Sequence, residues 1–215
     1  MFDYILFDLD GTLTDPGEGI TNSVAYALRA YGIEVEDKSS LNVFIGPPLH
    51  ESFQKYFGFS TLLSFDAVTK YREYYRDRGI FENLLYDGVC EMLSSLKKAG
   101  KTLIMATSKP TVFADRIACH YGIREYFDVL VGSELDGTRV DKAEVIEEAL
   151  KQAGSPSRER CVMVGDRLHD IVGAQKNSLF SVGVLYGYGD REELQSAGAH
   201  HIVATVSELS EYLLK

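Results

Sequence analysis

Tyr4-Ile5-Leu6-Phe7-Asp8-Leu9-Asp10-Gly11-Thr12-Leu13-Thr14 is the stretch from which the rest of the chain is best read. Its four leading apolar residues predict a short buried strand. Two carboxylates, Asp8 and Asp10, follow one residue apart where that strand ends. Unpaired, they would repel each other and resist desolvation. A bound divalent cation would remove both difficulties. Gly11 then lets the backbone turn sharply. An ordinary acidic turn after a strand carries the same local signature, so the reading depends on what the other 200 or so residues add.

The chain has 215 residues, 45% hydrophobic and 25% charged, which is the make-up of an ordinary soluble globular protein. That length allows one domain with an insertion. The net charge of -10 argues against nucleic acid or an anionic membrane as partner, since both are bound by basic patches. An anionic small molecule stays possible where a cation or backbone N–H groups receive it. Cys90, Cys119 and Cys161 show no zinc-binding spacing and read as reduced thiols. The first apolar run is too short for a signal peptide or a membrane span, so a cytoplasmic location is expected.

Further apolar runs occur at Thr102 to Thr107, Phe127 to Gly132, Cys161 to Gly165 and Phe180 to Val184. Amphipathic stretches separate them: Gly88 to Ala99, Thr111 to Tyr121 and Lys142 to Gln152. Strands apolar throughout, alternating with helices, predict an α/β fold with a doubly wound, mostly parallel sheet. Such sheets bind ligands at the carboxyl ends of their strands, where Asp8, Asp10, Thr107 and Asp166 all fall. From about Pro16 to Tyr86 the alternation stops, and only helical patterns appear: Ile20 to Tyr31, Pro48 to Phe57 and Phe65 to Arg78. The expected organisation is a core of 1–15 and 87–215 with a helical insertion at 16–86.

Three more clusters carry chemistry. Met105-Ala106-Thr107-Ser108-Lys109-Pro110 sets two hydroxyls at a strand end, able to donate to an anion or, with Ser108 or Lys109, to cap the next helix. Asp141-Lys142-Ala143-Glu144 reads as an Asp N-cap with Glu at the third helical position. Lys142 then sits where the helix dipole disfavours a cation, and a buried anionic partner would justify it; a solvated surface lysine is the alternative. Val164-Gly165-Asp166-Arg167-Leu168-His169-Asp170 ends a strand with two carboxylates at helical spacing, a donor set suited to Mg2+. His169, His200 and His201 carry no ligand pattern, and Gly187-Tyr188-Gly189-Asp190 reads as a loop.

Together, in this order, the four clusters resemble the haloacid dehalogenase superfamily of phosphohydrolases over nearly the whole chain. Within it, Ser178-Leu179-Phe180-Ser181-Val182-Gly183-Val184-Leu185-Tyr186-Gly187-Tyr188-Gly189 is similar to the phosphoglycolate phosphatase-like branch. The resemblance implies a Rossmann-like core with a small helical cap that closes over the site. It implies Asp8 as nucleophile, Asp10 as general acid and base, and Thr107, Ser108, Lys142 and Gly11 around the phosphate. It implies Mg2+ held by Asp8, Asp10 through its backbone carbonyl, and Asp166, with Asp170 ligating or orienting. The expected partner is a small phosphomonoester, phosphoglycolate first and a nucleoside 5′-monophosphate as the alternative, for a monomer or homodimer. Asp10 disfavours a dehalogenase. A phosphonate hydrolase using Lys38, Lys55 or Lys70 as a Schiff base, a phosphosugar mutase and a non-catalytic binding protein stay open as alternatives.

Overall fold

In chain order the first elements are β1 (Tyr4–Phe7), β2 (Thr14–Asp15), α1 (Gly17–Arg29), α2 (Leu49–Phe57), α3 (Thr61–Tyr75), β3 (Leu84–Leu85) and α4 (Val89–Lys98). There follow β4 (Thr102–Pro110), α5 (Thr111–His120), β5 (Val129–Ser133), α6 (Lys142–Gln152), β6 (Cys161–Gly165) and α7 (Leu168–Lys176). The last are β7 (Phe180–Val184), α8 (Arg191–Ser196), β8 (His201–Val203) and α9 (Val206–Leu213). These come from a computed structural model that describes all residues, Met1–Lys215. The chain divides into two compact units, Met1–Thr14 with Leu85–Lys215, and Asp15–Leu84.

The larger unit is built on a six-stranded sheet of order β5-β4-β1-β6-β7-β8. Every neighbouring pair in it is parallel. From β1 the chain winds outward through β4 and β5, then returns to the other side of β1 with β6, β7 and β8. This is the doubly wound α/β arrangement, with its switch point beside β1. Ile5, Leu6 and Phe7 are wholly buried, which is why β1 reads as an unbroken apolar run. Successive side chains point to opposite faces. Leu6, Ile104, Ala106 and Met163 join Val145, Ile146 and Ala149 of α6 and Ala174 of α7 in one core cluster. Burying each such aliphatic side chain stabilises the fold by about 1.5–3 kcal/mol.

Strand β4 runs three residues past the expected Thr107, with its register to β5 shifting between Ala106 and Pro110. Pro110 itself is the N-cap residue of α5 (φ -52°, ψ 133°), so neither Ser108 nor Lys109 caps that helix. Strand β8 and helices α8 and α9 were not anticipated; each is short, and β8 has only three residues, too few for a period to show.

The smaller unit contains α1, α2 and α3 with two short 3-10 turns, Lys38–Phe44 and Gly79–Phe81. Its aromatic residues form its own core. Phe53 is fully buried, 5.0 Å from Phe44 edge-on and stacked on Phe59 at 5.8 Å. Tyr75 is nearly as deep and stacks on Tyr71 at 5.2 Å. Gly46 has a φ of 100°, and Pro48 is the N-cap residue of α2. No helix of the chain is long and apolar enough to cross a membrane.

Candidate active site

The backbone of β1 continues its pairing for one residue, Asp8 N–H donating to Val164 C=O at 2.9 Å, and the chain then curls. Leu13 and Thr14 both return their N–H groups to the Leu9 carbonyl, at 2.9 and 3.0 Å. This tight loop places Asp8 and Asp10 at the carboxyl end of β1. Gly11 makes the curl possible: its φ is +80°, and a Cβ there would overlap the Asp166 carboxylate. Asp166 follows β6, the neighbouring strand, and is wholly buried.

Asp8, Asp166 and Asp170 come together, each buried, with one carboxylate oxygen from each lying within 4.8 Å of the others. Lys142, at the start of α6, reaches into the group and is itself buried. Its Nζ pairs with Asp8 Oδ1 at 2.9 Å and Asp170 Oδ1 at 2.8 Å. It also donates a hydrogen bond to the Ala106 carbonyl at 3.2 Å. Two carboxylates and a carbonyl hold the side chain despite its unfavourable place in the first turn of a helix. The solvated-lysine alternative is thereby set aside. Asp141 is the N-cap of α6, accepting from Ala143 N–H at 2.8 Å rather than from Glu144.

Asp166 and Asp170 are not on one helix, contrary to the spacing argument. Helix α7 begins at Leu168, and Asp166 lies before it in the strand-to-helix turn. Asp170 is in its first turn and accepts from Arg167 N–H at 3.1 Å. The two carboxylates converge because the turn folds Asp166 back, held by Tyr188 N–H at 2.8 Å and Thr12 Oγ1 at 3.4 Å.

Asp10 is held separately. Its Oδ2 pairs with Lys109 Nζ at 2.7 Å, and its Oδ1 is buried without a hydrogen-bonding partner. Its side chain therefore lies outside the trio of carboxylates. Thr107 is buried, and its Oγ1 accepts from Lys109 N–H at 3.2 Å. Ser108 is half-buried, its carbonyl anchored by Ser133 Oγ at 2.7 Å.

The electrostatics follow from burial. Desolvation pushes the Asp166 carboxyl well above the ordinary range, with the Asp170 charge adding to it. Desolvation likewise raises Asp170, to about 6, against the pull of Lys142. Asp10 is raised by burial although Lys109 opposes it. Once ionised, three carboxylates against one ammonium would leave two negative charges in excess in a desolvated cluster. All-oxygen donors with that excess fit a hard divalent cation, Mg2+ above all.

Two features of the site were not read as functional from the sequence. Lys109 was considered only as a helix cap, yet it is the cation in contact with Asp10. The stretch Gly187-Tyr188-Gly189-Asp190, read only as a loop, packs on Asp166. A Cβ at Gly187 would overlap both Asp166 and the Gly11 carbonyl, and Tyr186 O–H donates to the Thr12 carbonyl at 3.1 Å. The signal available was the alternation of glycines around Tyr188, which marks close backbone approach.

The family profile of haloacid dehalogenase-like hydrolases matches residues 5–184. A protein named 5′-nucleotidase in Pseudomonas aeruginosa is 46% identical over 97% of this chain and 94% of its own length. A Mycobacterium tuberculosis protein named tyrosine-protein kinase PtkA is 39% identical over 97% of this chain and 72% of its own. A phosphoglycolate phosphatase of Colwellia psychrerythraea is 30% identical over 95% and 94%. The crystal structure of a predicted phosphatase from Clostridium acetobutylicum superposes with a TM-score of 0.96 at 49% identity, covering 100% of this chain and 99% of that one. By the extent of the profile match and by these relatives, the chain belongs to the haloacid dehalogenase-like hydrolase family.

Proposed function

We propose that this protein is a Mg2+-dependent phosphomonoester hydrolase that works through an aspartyl-phosphate on Asp8. The observation that carries the reading is the division of labour among its carboxylates. Asp8, Asp166 and Asp170 share a buried cluster with Lys142, while Asp10 stands apart on Lys109 with a raised pKa. In that division Asp8, Asp166 and Asp170 would hold the metal, with the Asp10 backbone carbonyl. Mg2+ would offset the charge of phosphate and carboxylate so that the two can approach.

Asp8 Oδ1 already accepts from Leu9 N–H at 2.7 Å and from Lys142. That fixes the carboxylate plane and leaves Oδ2 to attack phosphorus. The bond from Oδ2 to phosphorus forms as the bond to the leaving oxygen breaks. Asp10 supplies the proton to that oxygen, a role suited to a carboxyl whose burial favours its neutral form. It then takes a proton from the water that cleaves the acyl phosphate. Thr107, Ser108, the Gly11 backbone and Lys142 receive the phosphoryl oxygens.

A nucleoside 5′-monophosphate is the leading substrate, ahead of phosphoglycolate, because the relative of that name is the more similar, at 46% against 30%. Transfer onto a tyrosine hydroxyl is the second reading, favoured by the relative named as a kinase. The Schiff-base alternative finds no support at Lys38 or Lys70. Lys38 bonds Asn22 Oδ1 at 2.6 Å, and Lys70 pairs with Glu73, which raises its pKa where imine formation needs a lowered one. Cys90, Cys119 and Cys161 are free, in keeping with a reducing cytoplasm.

The test is phosphate release from a phosphomonoester panel with Mg2+ or EDTA, with ATP and a tyrosine peptide as a separate arm. Mg2+-dependent release that Asp8→Asn abolishes is the expected result. Release undiminished in Asp8→Asn would remove the nucleophile, and label appearing on the peptide alone would favour the kinase reading.

A further inference from the structure

The larger unit has a second concave feature at the opposite, amino-terminal edge of its sheet. Phe2 precedes β1, Arg158 and Glu159 precede β6, Phe180 opens β7 and His200 precedes β8; together they line an open cleft of about 390 Å3. The reactive carboxylates lie at the other ends of β1 and β6, about 15 Å away along strands of this length. Nothing in the phosphatase chemistry uses these residues.

The cleft combines three elements. First, its wall is a ladder of rings. Phe2 and Phe180 lie 5.2 Å apart, and His200 stacks on Phe180 at 4.5 Å with the planes 30° apart. Both phenylalanines are half-buried rather than packed away. Second, Arg158, half-buried, brings a guanidinium to the cleft wall. A guanidinium in a cleft receives an anion through charge-assisted hydrogen bonds, which are stronger than neutral ones. Third, the His200 tautomer is set. Nδ1 accepts from Ser181 N–H at 3.2 Å, so the ring proton of the neutral imidazole is on Nε2, a second donor. Glu159 adds an acceptor on the same cleft.

We propose that this cleft is a second ligand site, for a planar ring bearing an anionic group, the class to which mononucleotides belong. The ring lies against Phe2, Phe180 and His200, the anion meets Arg158 and His200, and Glu159 accepts from amino or N–H groups on the ring edge. Its volume is within the range of small-molecule sites and at the lower end of it, which suits one nucleotide rather than a dinucleotide.

Amide NMR on the full chain in EDTA tests this, with AMP as probe and inorganic phosphate and adenosine as controls. Saturable shifts of the Ser178, Phe180 and His200 amides are expected with AMP and weaker ones with either control. They persist in Asp8→Asn, weaken about tenfold or more in Arg158→Leu, and weaken less in Arg158→Lys, which keeps the charge without the planar fork. Phosphate release by Arg158→Leu stays at the wild-type level. Shifts confined to Gly11 and Tyr188, an Arg158→Leu and Arg158→Lys pair that titrates like wild type, or phosphate alone matching AMP would each overturn the proposal.

Discussion

Replacing Lys109 by methionine keeps the length of the side chain and removes the charge 2.7 Å from Asp10 Oδ2. Both partners are largely buried, with side-chain exposures of 6% and 14%, so solvent screens the pair little. Burial already raises Asp10 against the pull of Lys109. Without that pull the carboxyl rises further. Breaking a buried pair by deleting one partner costs about 3–5 kcal/mol. Protonation limits that cost. Holding the carboxyl neutral at pH 7, against an unfolded pKa near 3.9, costs about 4 kcal/mol, and about 1.5 kcal/mol at pH 5.

The sign is therefore fixed. In Lys109→Met the folded protein binds more protons than the unfolded chain between the unfolded pKa and the new folded one, so stability falls as pH rises through that window. The deficit relative to wild type widens by up to about 1.4 kcal/mol per pH unit between the two folded pKa values and narrows in acid. Urea unfolding of both proteins in EDTA from pH 5 to 8 measures it. The companion measurement is the pH profile of kcat/KM, whose basic limb, reporting loss of the Asp10 proton, moves to higher pH. A pH-independent deficit together with a superimposable profile would refute both the pairing and the acid role.

Mg2+ raises the unfolding temperature of wild type, by the equivalent of about 2.7 kcal/mol at a hundredfold excess over Kd. Asp166→Asn loses that response while being more stable than wild type in EDTA, because one of the repelling buried carboxylates is gone; calorimetry with and without metal reads both signs. Gly11→Ala forces a Cβ onto the Asp166 carboxylate at a positive φ and costs about 1–3 kcal/mol; an unchanged melting curve would show that the loop yields freely. Lys142→Met leaves Asp8 and Asp170 without their shared cation, so it lowers kcat and raises KM together; unaltered values for both would return Lys142 to a structural role. In the smaller unit, Phe53→Ala empties a fully buried position and costs about 3–5 kcal/mol, measured by urea denaturation, and a loss under about 1 kcal/mol would mean that Phe44 and Phe59 close the gap.

The parts of this protein legible in its sequence are those written in local chemistry. An apolar run closed by Asp8, and another closed by Asp166, announce two neighbouring parallel strands, since only a strand covered on both faces is apolar throughout. Lys142 was legible for a different reason: a lysine in the first turn of a helix is locally wrong, and a local conflict points to a partner elsewhere. Asp8 and Asp170 are that partner. Lys109 gave no such signal, because a lysine after a strand and before a proline breaks no rule. Its partner Asp10 follows another strand nearly a hundred residues away, and only the parallel pairing of β1 with β4 brings the two ends together. The same holds for the turn at Asp166, whose spacing to Asp170 imitates a helix that has not yet begun. It holds again for Arg158, Phe180 and His200, which lie far apart in the chain and meet because parallel strands bring all their starting ends to one edge. A sheet of this kind gathers residues at both edges, and the carboxyl edge is recognised first because its acids conflict with burial. The opposite edge, where the residues are individually ordinary, needs the structure to show that they line one cleft.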